Sequence, residues 1–432
     1  MRRRDFLVGA AGLGAGALAL SRFAETATDA PAAAATPAAG DWAAVRALFG
    51  LAPDRVHMAG FYLASHPEPV RRAIEAHRRG LDAEPVGYLH ENWARLENGV
   101  RRVAAEYAGC APDDLAMTDS TTMGVGLVYG GLRLRAGQEV LTTTHDHIVT
   151  PVALGYACER TGATLRRVAL YDDPAAAGGG EAAERLTRAI TPATRVVAVT
   201  WVHSGTGVKL PIPELAEAVA RANRGRDEAD RALLFVDGVH GFGNQAARVV
   251  DLGCDAFIAG CHKWLFGPRG TGLVWARPAA WAATAPLIPS FDRAWRTEAS
   301  DAIPPAAWMT PGGFHSFEHR WAVAEAFELH RALGMDRVAA RTAELNRRCK
   351  EGLAELPRVR VATPLADEMS AGIICFAVAG RTPHEVVAGL AARHVVATVT
   401  PGFYDPPYAR LAPSLLTLEE DVDRAVAAVA AL

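Results

Sequence analysis

Leu233-Leu234-Phe235-Val236-Asp237-Gly238-Val239-His240 reads as a buried apolar strand that opens into polar residues at its carboxyl end. The pattern returns in Ala259-Gly260-Cys261-His262-Lys263-Trp264, which brings Lys263 in twenty-six residues after Asp237. Strands this continuously apolar are covered on both faces, as in a mostly parallel sheet. Ligands of such sheets bind beyond the carboxyl ends of the strands, where Asp237 and Lys263 both fall. Lysine is scarce here: three of the 45 basic residues are Lys209, Lys263 and Lys350, and the rest are arginine. Taken singly, a strand-end aspartate is often a helix cap and a lysine is often solvated. Together they are a carboxylate and an amine at the mouth of one sheet. Lys350, in the polar helical stretch 342–356, is expected to be solvated, and Lys209 is a weaker candidate than Lys263.

Working outward, apolar β-rich runs alternate with amphipathic ones. Strands are predicted near 115–118, 139–143, 164–168, 195–201, 232–236, 256–259 and 272–275, with helical runs such as 212–224 between them. Ser120, His145, Ser204, Asp237 and Lys263 each follow one of these strands. The fold class is therefore α/β, a large domain over 41–310 whose first ~20 residues form an arm. A smaller α+β domain over 311–432 is expected to hold helices at 317–333, up to about 356 and from 419. No internal repeat is visible.

Residues 1–40 read differently. Arg2-Arg3-Arg4-Asp5-Phe6-Leu7 precedes a short, glycine-diluted apolar run and then an Ala/Pro/Thr-rich stretch. That order fits a cleavable signal, and the paired arginines with Phe-Leu resemble a twin-arginine (Tat) export signal. The run is too short and too weakly apolar to anchor in a membrane. Export to the periplasm or medium, after folding in the cytoplasm, is the expectation. Net charge is −3 and no basic run occurs, so neither nucleic acid nor a membrane surface is an expected partner. The six cysteines show no pairing or CxxC spacing and are expected to be free and buried; no metal-ligand spacing stands out.

Three further motifs sit at strand ends. Thr118-Asp119-Ser120-Thr121-Thr122-Met123-Gly124 opens a helix, where hydroxyls and free amides can hold a phosphate, although a Ser/Thr N-cap looks the same. Thr142-Thr143-Thr144-His145-Asp146-His147 offers His145 to stack on a pyridine ring and move a proton. Val202-His203-Ser204-Gly205-Thr206-Gly207 offers Ser204 to a ring hydroxyl, or is a plain turn. With Asp237 to keep a ring nitrogen protonated and Lys263 to form a Schiff base, the set describes a site for pyridoxal 5′-phosphate.

From about Asp54 onward the chain resembles the class V aminotransferases, a group of fold-type I pyridoxal phosphate enzymes. It is closest to the isopenicillin N epimerase-like branch, through Trp201-Val202-His203-Ser204-Gly205-Thr206-Gly207 and Cys261-His262-Lys263-Trp264. It is also similar to Tat-exported enzymes that mature siderophores such as pyoverdine. The resemblance implies the Schiff-base lysine at Lys263, the ring-nitrogen partner at Asp237 and the stacking histidine at His145. It further implies phosphate contacts from Thr121, Thr122 and His262, and His240 beside the phenolic oxygen. Arg410 matches the arginine that grips a substrate α-carboxylate. A homodimer is implied, with Met309-Thr310-Pro311-Gly312-Gly313-Phe314-His315 matching the segment that reaches the neighbour's phosphate.

Departures narrow the function. Residues 379–409 contain no cysteine, which removes the desulfurase nucleophile; Gly260 and Ser204 replace a serine and an asparagine of many relatives. The expectation is chemistry at the Cα of an amino acid, or of an amino-acid unit in a secreted natural product. The leading reading is O2-dependent oxidative decarboxylation to a carboxamide. Transamination comes next, then epimerisation between Lys263 and His145. A catalytically silent binding protein on the same fold is the non-enzymatic alternative.

Overall fold

The computed structural model describes residues 37–38, 40–291 and 303–432, so nearly all of the export-like segment lies outside the described residues. A short strand, β1 (Val56–His57), precedes the main sheet. That sheet comprises β2 (Leu115–Thr118), β3 (Glu139–Thr143), β4 (Thr164–Val168), β5 (Thr194–Thr200), β6 (Leu233–Asp237), β7 (Ala256–Gly260) and β8 (Gly272–Ala276). Their spatial order is β2-β8-β7-β6-β5-β3-β4. β8 runs antiparallel to both its neighbours, and the other pairings are parallel. The carboxyl ends of β2, β3, β5, β6 and β7 therefore lie along one side.

Strand periodicity explains why the apolar runs are continuous. Val197, Val199, Leu234, Val236, Phe257 and Ala259 join one hydrophobic cluster, while Val196, Ala198, Leu233, Phe235, Ala256 and Ile258 join another. Successive side chains point to opposite faces, and helices cover both. The edge strand β4 is different: Arg166 makes a two-pronged ion pair with Glu139, at 2.6 and 2.9 Å. Charge on an edge discourages further strand addition.

The carboxyl-terminal part builds an antiparallel sheet, ordered β12-β13-β10-β9, from β9 (Val359–Val361), β10 (Ile374–Val378), β12 (Thr398–Val399) and β13 (Ala409–Leu411). Helices Met335–Ala354, Pro383–Ala391 and Glu419–Ala430 enclose it through Leu345, Leu353, Phe376, Leu390 and Val422. β11 (Val395–Val396) pairs in parallel with β1, so part of the amino-terminal arm is held by carboxyl-terminal residues. The described residues form one compact unit. All six cysteines are free and five of them are buried.

Lys350 corrects a sequence expectation. It is 1% exposed, and its ammonium donates to Pro364 O (3.1 Å), Leu365 O (2.7 Å) and Ser370 Oγ (2.6 Å). Asp367 adds an ion pair at 3.6 Å. Burial lowers its pKa to about 8, with Asp367 pulling the other way. The polar helix face that looked solvated is covered by residues 364–370, a contact invisible to local periodicity. Lys350→Met keeps the stem but strips these acceptors of their donor. It is expected to lower stability by about 2–4 kcal/mol in urea unfolding. A change within about 0.5 kcal/mol would mean that the ammonium is dispensable.

Candidate active site

A cavity of about 160 Å³ opens at the carboxyl ends of the strands. Its wall includes Ser120, Thr121 and Thr122 after β2, His147 after β3, Thr200 and Ser204 at β5, Asp237 and His240 at β6, and His262 and Lys263 after β7. Arg410, from β13, completes it together with Phe61, Tyr62 and Pro401. Thr121, Thr122, Ser204, Asp237, His240, His262, Lys263 and Arg410 are thus gathered around one space, from positions up to 289 residues apart (410 − 121).

His145 does not join them. Its ring stacks face to face on Tyr171 at 3.8 Å, and its Nε2 accepts from Leu170 N at 3.2 Å. The reason lies in the residue between the two histidines. Asp146 turns inward, accepting from Thr142 Oγ1 and Thr143 N, both at 2.7 Å, and from Thr200 N at 2.8 Å. This carboxylate staples the end of β3 to the end of β5. His145 is left behind that staple, and His147 emerges on the cavity side. His147, not His145, is therefore the imidazole available to a ligand ring. Burial, then Lys263 and Arg410, lower its pKa to about 4, so it is neutral at pH 7.

Asp237 is 2% exposed and accepts from Val239 N at 3.1 Å. Burial raises its pKa, opposed by that hydrogen bond and by Lys263; burial lowers that of Lys263, opposed by Asp237. Lys263 Nζ lies 3.4 Å from His240 Nε2. His240 and His262 are also held below the usual imidazole range, chiefly by burial. Arg410 is then the fixed cation facing the cavity, and Lys263 is an amine that burial pushes toward its neutral form.

Arg410 is 1% exposed, and its acceptors are all neutral. They are Ser204 O (3.0 Å), Ser204 Oγ (2.9 Å), Thr398 Oγ1 (3.2 Å) and Val399 O (2.8 Å). Its guanidinium lies 4.8 Å from the centroid of the Phe61 ring. Ser204, expected beside a cofactor hydroxyl, accepts from this arginine and keeps its O–H and a second lone pair for a ligand in the cavity it lines. Sequence reasoning missed Asp146, His147, Phe61 and Tyr62. The Asp-His pair at 146–147 was a readable signal, because an aspartate at a strand end caps backbone amides and swings its successor outward.

The chain belongs to the class V aminotransferase family, whose profile matches residues 65–402. It is a pyridoxal phosphate-dependent enzyme of that family. Isopenicillin N epimerase of Streptomyces clavuligerus is 29% identical over 412 residues, spanning 91% of this chain and 99% of the relative. A cysteine desulfurase of Salmonella agona is 25% identical over 379 residues, 80% and 88% of the two chains. Among solved structures, the cystine C-S lyase C-DES with its product cysteine persulfide superposes with TM-score 0.78 at 21% identity, covering 88% of this chain and 98% of that one. The cysteine desulfurase CsdA of Escherichia coli gives 0.76 at 21%, covering 90% and 97%. At that identity these two structures speak for the fold alone.

The residues present fit pyridoxal phosphate. Thr121 Oγ1 is buried without a hydrogen-bond partner, at the start of helix Thr121–Gly130. An anion there would satisfy it and the unpaired first-turn amides. Gly260 contributes by lacking a side chain: a Cβ would stand 2.9 Å from His262 Cε1 and 3.0 Å from Thr121 Oγ1. A serine at position 260 would crowd this corner.

Borohydride treatment of the loaded protein is expected to fix the pyridoxyl group on Lys263, found by peptide mapping; a label on Lys209 or Lys350 would overturn that assignment. Because burial favours the neutral amine, cofactor capture should gain rate with pH well before the ordinary lysine value of about 10.4. His147→Ala is expected to weaken cofactor binding by about tenfold, the scale of a buried ring contact. His145→Ala should leave it nearly unchanged.

Proposed function

We propose that the protein acts at the Cα of an amino acid, or of an amino-acid unit in a secreted natural product, whose free carboxylate docks on Arg410. One observation carries this reading: a buried guanidinium faces the cavity with neutral acceptors alone. A carboxylate is the planar, two-oxygen anion that such a fork accepts. Bound pyridoxal phosphate supplies the electron sink for negative charge at that carbon. Lys263 and His147 are two nitrogen bases on the cavity wall assigned to take or return the Cα proton. Asp237 holds the cofactor's ring nitrogen in its protonated form, and Thr121, Thr122 and His262 hold its phosphate.

For the reaction, our leading proposal is oxygen-dependent decarboxylation, R–CH(NH2)–COOH + O2 → R–CONH2 + CO2 + H2O. Its support is the export-like amino terminus, which would remove the enzyme from cytoplasmic 2-oxo acids, and the lack of cysteine in 379–409. Epimerisation is a second reading, supported by the 29% identity to an epimerase and by His147 joining Lys263 as a second base. A homodimer is also proposed. Ile148, Val152 and Tyr156 form an exposed apolar stripe one helical turn apart, and Phe314 is 75% exposed. In a single chain the 309–315 loop rests on its own sheet, Thr310 Oγ1 accepting from Met117 N at 3.2 Å.

Arg410→Ala is expected to cut kcat/KM by roughly 10- to 100-fold for substrates with a free carboxylate. An unchanged value would remove the docking role. Aerobic and anaerobic assays over a panel of amino acids decide the reaction. Oxygen uptake matched by CO2 release supports the leading proposal. Full turnover without oxygen overturns it, in favour of transamination if a keto acid is consumed or epimerisation if only optical activity is lost.

A further inference from the structure

Beside Lys263, His240 lies between two nitrogen groups. The indole Nε1 of Trp264 donates to His240 Nδ1 at 3.3 Å, and His240 Nε2 faces Lys263 Nζ at 3.4 Å. All of this is enclosed: His240 is 3% and Trp264 2% exposed. The indole has no freedom to turn away. It stacks on Phe61 at 6.5 Å, and it rests against Gly372, where φ is +68° and a Cβ would come 2.3 Å from Trp264 Cη2.

An indole N–H can only donate. A neutral imidazole accepting it at Nδ1 must carry its own proton on Nε2, aimed at Lys263. We propose that Trp264 is a positioning residue that locks His240 in this form, so that the Lys263 nitrogen is met by a donor and is favoured as the free amine. If Lys263 were protonated, two donors would confront each other; if His240 were protonated, Nδ1–H would confront the indole N–H. The same lock presents a fixed donor to whatever acceptor oxygen enters beside Lys263. The other charged or titratable groups acting on His240 are Arg410, His147 and His262, while Asp237 and Arg410 act on Lys263 in opposite directions. Burial is the largest influence holding His240 neutral, and the Arg410 guanidinium acts in the same direction. The inference takes Lys263 as the cofactor-holding amine, but its test needs no turnover and so fails separately from that reading.

The test uses the full-length chain stripped of cofactor. Nitrogen-15 NMR of labelled histidine should show His240 protonated on Nε2 and bare on Nδ1 in the wild type, and proton density moving to Nδ1 in Trp264→Phe. Acylation of Lys263 against pH, read by peptide mass with Lys209 and Lys350 as internal controls, should shift upward by about one pH unit in that variant, an about tenfold loss of free amine at neutral pH. In a His240→Gln background, which has no tautomers, Trp264→Phe should leave the Lys263 midpoint unmoved. If Trp264→Phe does not fold, benzothienylalanine at position 264 removes the N–H alone and takes its place. A wild-type proton on Nδ1, an unmoved Lys263 midpoint, or an equal shift in the His240→Gln background would each overturn the lock.

Discussion

The site depends on holding Asp237 and Lys263 together out of water. Each alone would cost several kcal/mol to bury as an ion, and each moderates the other's shift. The sheet makes this possible because β6 and β7 are parallel neighbours, with Asp237 in register with Ile258. Their carboxyl ends emerge side by side, and three more residues bring Lys263 into the wall of the same cavity as Asp237. Any shift in that register would separate the charges, so the apolar packing of β6 and β7 on both faces is as much a part of the site as the polar residues.

Around this pair the cavity is electrostatically simple. Burial keeps the imidazoles of His147, His240 and His262 uncharged and favours the neutral amine of Lys263, so the fixed positive charge facing a ligand comes from the Arg410 guanidinium. Arg410 is presented by a different sheet, yet it reaches Ser204 in the loop after β5. The staple made by Asp146 performs the matching task inside the large sheet, fixing how far β3 and β5 stand apart at their ends.

Much of this was legible in the sequence because it is local. The seven strands of the large sheet read out to within a residue or so, since each is a short apolar run ended by polar residues, and Asp237 and Lys263 stood out by position and scarcity. What was not legible depended on how a few side chains turn. His145 and His147 differ only by which side of Asp146 they occupy, and the outcome rests on hydrogen bonds to Thr143 and Thr200 that no periodicity reports. Lys350 looked solvated because its covering segment, 364–370, is brought in by tertiary folding. Ser204 lines the cavity as expected, but its contact with Arg410, 206 residues away, could not be read locally. The strand pairing of β1 with β11, which ties the arm to the carboxyl-terminal part, has no local signature at all.

None of the three lysines is exposed: Lys350 is buried, and Lys209 and Lys263 are partly covered, Lys209 bonding Gln245 Oε1 and Asp367 O at 3.0 Å each. The folded surface therefore presents its positive charge as guanidinium. Amine-directed reagents are expected to label the folded chain sparingly, reaching the partly covered Lys209 and Lys263 before the buried Lys350.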